Sequence, residues 1–449
     1  MKPAFRLLAV MLFPTLLFAA STIRARLAAV TFQVNSLLDE VDVDPGDGLC
    51  RTAVGTCTLR AAVMQSNVIS GSDVEINLPA GEFRLTRLRI APNGPDVGDL
   101  NLTDPSGDIN FVTYIKGAGA AATIIDAGQL DRAFTIDPLR YAYIEGVTVR
   151  NGLVDTNNGE TGGGILNLGR LILIESTVSD SVATWGGGVS NFGRLALGGV
   201  TIRDNTAFEG GGLHTVRIFP EDSSAGVLTV DSSTISGNHG GTGGGIGSRG
   251  DLFLTNSTVS SNTADGEGGG IYNAGLANIY NTTIVFNHTA GGQAGGVYTY
   301  LPGAVFNLRN TLLAGNSAGE TNNYIECVGD LVAYGRNLIG INALSEEAGC
   351  AVSAGPFGSW GYLNNLTSIG PLSDNGGRTR THALLPGSNA VDDGDPQFGC
   401  VDRSAQPLLF DQRGAARSVD GDNDGTAVCD VGAYEYQALY AYFLPFVRR

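Results

Sequence analysis

Apolar residues recur along the middle of the chain in short alternating runs, and the runs themselves repeat. The stretch "GGGILNLGRLILIESTVSDS" (162–181) is followed twenty-four residues after its first glycine by "GGGVSNFGRLALGGVTIRDN" (186–205). Further copies start at Gly210, Gly243 and Gly268, and a drifting sixth starts at Gly295. Counted from the first glycine, offset three is Ile165, Val189, Leu213, Ile246 and Ile271; offset five is Asn167, Asn191, Thr215, Ser248 and Asn273. Offset sixteen is Val178, Ile202, Val259 and Ile284, and offset nineteen is Ser181, Asn205, Asn262 and Asn287. The third copy carries an insertion around "RIFPEDSSA", after which Ile235 and Asn238 fall into line.

A helical repeat would space its apolar residues three and four apart over a dozen positions. Here they alternate for a few residues between glycine turns, which is the signature of a β-solenoid. The pattern predicts coils of three short strands stacked at about 4.8 Å. Equivalent offsets then lie one above another: aliphatic side chains inside, Asn205, Asn238, Asn262 and Asn287 as an amide ladder at a turn. The Gly-Gly-x-Gly-x-Asp spacing of the nine-residue calcium-binding solenoid is absent.

Composition narrows the function. The chain of 449 residues has a formal net charge of −17, with 44 acidic against 27 basic side chains, which argues against a nucleic-acid partner. Lys2 and Arg6 precede an apolar run of residues 7–20 and the small residues Ala19, Ala20 and Ser21, so 1–21 reads as a secretory signal peptide. The run is too short for a bilayer span, and so is the apolar-basic tail 437–449, so no integral membrane protein is expected. Six cysteines permit fifteen pairings. They fall into three sequence-local pairs, and the expected disulfides are Cys50–Cys57, Cys327–Cys350 and Cys400–Cys429. With no CxxC pair and four histidines, the thiols point to an oxidising compartment rather than to zinc.

The Gly-Gly-Gly-Ile and Thr-Ile-Ser-x-Asn copies resemble the right-handed parallel β-helix repeats of secreted bacterial proteins of pectin-lyase-like architecture. Upstream, "VDVDPGDGLC" and "CTLRAAVMQSN" (57–67) resemble the CSLREA domain, with Ala61 where that family usually has Glu. Downstream, "PLSDNGGRTRTHALLPGSNAVDDGD" and "DQRGAARSVDGDNDGTAVCDVGAYEY" resemble the choice-of-anchor Q domain. The resemblance implies an all-β chain, a right-handed parallel β-helix solenoid with small disulfide-bearing modules at both ends. Its divisions are a CSLREA-like module at 31–70, the β-helix at 71–370 and a choice-of-anchor Q-like module at 371–436.

Three sets of residues offer chemistry. Asp180 and Asp204 share offset eighteen beside Arg203, one rung apart, at a spacing close to the roughly 5 Å of retaining glycosidase carboxylates. Other copies place Gly237 and Ser261 there, which favours a turn residue. Outward offsets four and six carry Tyr272, Tyr298 and Tyr300, with His214 and Arg249 on the same face, a candidate platform for sugar rings or a partner protein. Asp420, Asp422 and Asp424 followed by Gly425 begin like an EF-hand loop, with Asp430 one place before the usual Glu, so calcium is the expected ion. The expected function is a secreted or surface-attached, adhesin-like protein that binds extracellular polysaccharide or a cell-surface component. A polysaccharide lyase or glycoside hydrolase is the alternative.

Overall fold

The computed structural model describes residues 29–437, apart from 91–93, 104–109, 218–225, 292, 301–302, 320–322, 341–349 and 364. The expected signal peptide and nearly all of the tail lie outside the described residues.

Each middle coil contains four strands, not three. In the coil that starts at the second glycine triplet they are Val189–Asn191, Arg194–Gly198, Thr201–Arg203 and Thr206–Glu209. Each pairs in parallel with its equivalent in the next coil, in the register given by the repeat offsets: Ile165 on Val189, Leu173 on Leu197, Val178 on Ile202. In chain order the four stacks are the glycine strands, long strands, threonine strands and short strands. The fourth stack was missed because Thr206–Glu209 and its equivalents carry little apolar signal; their pairing comes from the coil beneath. Stacked in this way, the chain is a right-handed parallel β-helix, the hand that crossovers between parallel strands adopt.

The aliphatic offsets form one continuous core, with Ile165, Val189, Leu213, Ile246 and Ile271 all fully buried. Beside it runs the amide ladder. Asn205 Nδ2 donates to Asn238 Oδ1 at 3.0 Å, and the chain continues through Asn262, Asn287 and Asn316 at 2.9 Å per step. It ends on the buried Glu326 carboxylate, which accepts from Asn316 Nδ2 at 2.7 Å. The glycine triplet beside the ladder is forced by crowding. Gly210 has φ +66°, a Cβ on Gly211 would collide with the carbonyl oxygens of His239 and Gly244, and one on Gly212 would meet Asn238 Nδ2 at 2.9 Å.

The first rung is Val30–Gln33 on Val74–Asn77, and the helix Leu59–Ser66 covers that end of the core. Thr58 caps the helix, and buried Arg60 is held by Asp39 at 2.6 Å and by the Gly98 and Asp99 carbonyls. The three disulfides join Cys50 to Cys57, Cys327 to Cys350 and Cys400 to Cys429, as the spacing predicts. The Cys327–Cys350 bridge belongs to the last coils of the helix rather than to an end module, because Cys327–Tyr334 and Cys350–Ala354 are paired strands.

The C-terminal segment lies back along the flank of the threonine strands. Gln412 Nε2 donates to the Ser233 carbonyl and to Thr234 Oγ1, and its Oε1 accepts from Thr258. A column of left-handed asparagines forms the docking rail: Asn256 donates to the Phe410 carbonyl, Asn281 to Val401 and Asn310 to Gly399. An apolar patch of Val285, Leu312, Leu338, Leu384 and Val431 closes the seam. Among the described residues no helix is long and apolar enough to cross a membrane.

Candidate functional site

The outer side of the glycine strands gathers the aromatic and charged residues. Register places Ser190, His214, Gly247, Tyr272 and Tyr298 in one row at successive rungs. Glu209 ends the short strand just before the Gly210 corner, and a Cβ on Gly247 would meet its Cγ at 2.8 Å. The missing side chain lets Glu209 lean across the next rung and bind Arg249 through both oxygens, at 2.7 Å each. His214 sits between Glu209 (Nε2 to Oε1, 3.7 Å) and Ser190 (Nδ1 to Oγ, 3.3 Å). The Arg249 guanidinium lies 5.5 Å from the Tyr272 ring centre, Tyr272 stacks on Tyr298 at 5.8 Å and 7°, and Tyr300 leans on Tyr272 at 6.4 Å.

The structure thus brings His214, Arg249, Tyr272, Tyr298 and Tyr300 together, but not as an open platform. His214 and Tyr272 are only 5% and 7% exposed, against 53% for Tyr300. Stacking along the helix axis turns the faces of Tyr272 and Tyr298 toward each other, so solvent meets ring edges and hydroxyls. The row is a ridge whose reachable groups are Arg249, Tyr298 and Tyr300. Burial pushes His214 down to about 4, against the opposing pull of Glu209, so its imidazole is neutral at neutral pH. The hydrogen bond to Glu209 raises Arg249 and keeps it charged. Ser190 is fully buried behind His214, which leaves its hydroxyl with no approach for a substrate. Glu209, which holds the cluster, was not singled out from the sequence. Its signal was an acid at the position before a glycine triplet, repeated at Glu267.

Asp180 and Asp204 lie elsewhere, at the corner after the threonine strands. Both are exposed and both adopt left-handed backbone, φ 56° and 57°. Their column continues through Gly237, Ser261, Phe286 and Gly315, all at positive φ, so aspartate, glycine and serine there answer a backbone requirement, Phe286 being the exception. Asp204 ion-pairs with Arg203 at 2.5 Å.

The acidic loop is assembled differently from the sequence expectation. The carboxylates that share one space are Asp392, Asp420 and Asp422, with one oxygen of each within 4.8 Å of the others. Asp392 Oδ1 and Asp420 Oδ1 are buried atoms without a hydrogen-bond partner. Asp424 instead accepts from the Thr426 amide. Asp430 points away from the loop into the interior, accepting from the Asp392 and Tyr436 amides beside Glu435 and Arg417. Burial and the Glu435 charge push Asp430 up to about 8. An all-oxygen set of this kind suits calcium rather than a softer metal.

The fold and these sites define a parallel β-helix with a charged aromatic ridge on its glycine strands. No protein-family model matches the chain, and no curated protein matches it in sequence. Among solved structures, the crystal structure of pectate lyase Pel9A is similar at a TM-score of 0.48 and 12% identity, covering 91% of this chain and 98% of that one.

Proposed function

We propose that this is an extracellular β-helix protein that binds carbohydrate, on polysaccharide or at a cell surface, along the ridge of Arg249, Tyr298 and Tyr300 and catalyses no reaction there. The observation that carries the reading is the Glu209–Arg249–Tyr272–Tyr298 assembly. Packed on the buried Tyr272, a guanidinium and the two tyrosines Tyr298 and Tyr300 are held at neighbouring rungs, a set that offers hydrogen bonds to sugar hydroxyls at low ordering cost. The disulfides support an oxidising, extracellular setting. On the motif likenesses, 31–70 is a CSLREA-like module, 371–436 a choice-of-anchor Q-like segment and 1–21 a signal peptide. Calcium is the proposed ion of the C-terminal segment, held by Asp392, Asp420 and Asp422, and the two unpartnered oxygens favour it.

A glycan array run beside assays for reducing ends and unsaturated products tests the reading. Retention of a glycan without turnover is the expected result. Release of either product would support the alternative, a polysaccharide lyase or glycoside hydrolase.

A further inference from the structure

A cleft lies on the opposite side of the coil from the ridge, where the Arg378 loop of the C-terminal segment meets the turns between long and threonine strands. Its volume is about 410 Å³, within the ~300–1,000 Å³ range of small-ligand sites. Two carboxylates, Glu145 and Glu175, face one guanidinium, Arg378, and Thr177 and Thr201 stand on consecutive rungs of its wall. The remaining wall is mostly glycine backbone, including Gly146 and Gly199, and no aromatic ring lines it.

The charges are unevenly satisfied. Glu175 is bound to Arg378, which cancels both. Lys116, the register neighbour of Glu145, is held by Glu75 at 2.8 Å. Glu145 therefore has no ion-pair partner among the described residues; the neighbouring Tyr143 hydroxyl, pushed up to about 12 by burial and by the Glu145 charge, stays protonated. A half-buried carboxylate without an ion-pair partner, beside two threonine hydroxyls, asks for a ligand with a cationic donor and several hydroxyls. An apolar ligand would find no wall to cover.

We propose that this cleft binds an amino sugar, with its ammonium group on Glu145 and its hydroxyls on Thr177 and Thr201. The site is separate from the ridge and does not rest on the reading given for it. The ammonium chemistry is shared with free diamines, so the test has three arms. The full chain is titrated calorimetrically with the glucosamine tetramer, its fully N-acetylated form, and putrescine. The glucosamine tetramer should bind at least about tenfold more tightly than either other probe, the size of one lost charge-assisted contact. Glu145→Gln should lose about tenfold with an unchanged melting temperature. Equal binding of the acetylated tetramer, equal binding of putrescine, an unaffected Glu145→Gln, or no heat from the glucosamine tetramer would each overturn the proposal.

Discussion

At offset eighteen the backbone turns left-handed in coil after coil, and the residues there are Asp180, Asp204, Gly237, Ser261, Phe286 and Gly315. An aspartate in such a column is explained by conformation before catalysis is considered, and the glycine and serine in neighbouring copies already carried that information. The buried aliphatic column was equally legible, since a period of two within a period of twenty-four leaves one inward side per strand. What sequence offsets did not reveal was depth: His214 and Tyr272 occupy outward positions yet are covered by Glu209, Arg249 and Tyr298, the long side chains of adjacent rungs. A carboxylate placed in the aliphatic column has no partner within reach. Ile246→Asp and Ile271→Asp should each cost more than about 4 kcal/mol and abolish the cooperative melt followed by circular dichroism. Unchanged melting in both variants would contradict the register.

The strands declare themselves through their apolar residues, and the C-terminal segment does not. Beyond the apolar patch at the seam, its contacts with the β-helix run through Gln412, Asn256, Asn281 and Asn310, and nothing in the spacing of those residues marks them as partners. The same folding-back explains the acidic loop. Asp392 is about thirty residues from Asp422, and it enters because its Oδ2 accepts from the Gly421 and Asp422 amides at 2.8 Å. Burial raises Asp392, and the Asp422 charge beside it adds to that rise, as repulsion between carboxylates in one space requires. Calcium should therefore raise the melting temperature of the full chain and chelator should lower it. Asp392→Ala and Asp422→Ala should remove that response, whereas Asp424→Ala should keep it. Equal melting with calcium and chelator would leave the loop as a hydrogen-bonded acidic turn.

Across the whole molecule, buried acids dominate the pH response. Burial pushes Asp231 up to about 6, Glu326 to about 7 and Asp430 to about 8. A carboxyl whose folded pKa exceeds its unfolded value contributes fully below the unfolded value, near 4, and loses that contribution as pH rises through the folded one. His214 acts in the other direction: lowered to about 4, it favours the fold above 6.5 and opposes it as pH falls toward 4. His382, lowered by burial as well, joins His214, and the three acids outweigh the two histidines, so the protein should melt a few degrees higher at pH 5.5 than at pH 8.5. A higher melting temperature at pH 8.5 would contradict these burial assignments.

The solenoid was legible because each coil repeats its information, while the ridge appears once and depends on which side chains of different coils overlap. Its central test is calorimetric titration of the glycan retained on the array against wild type and the Tyr298→Ala, Tyr300→Ala double variant. The account predicts an affinity loss of at least about tenfold with the melting temperature unchanged and the glycan recovered intact. Equal affinity in the double variant, or cleavage of the glycan by the wild type, would contradict it.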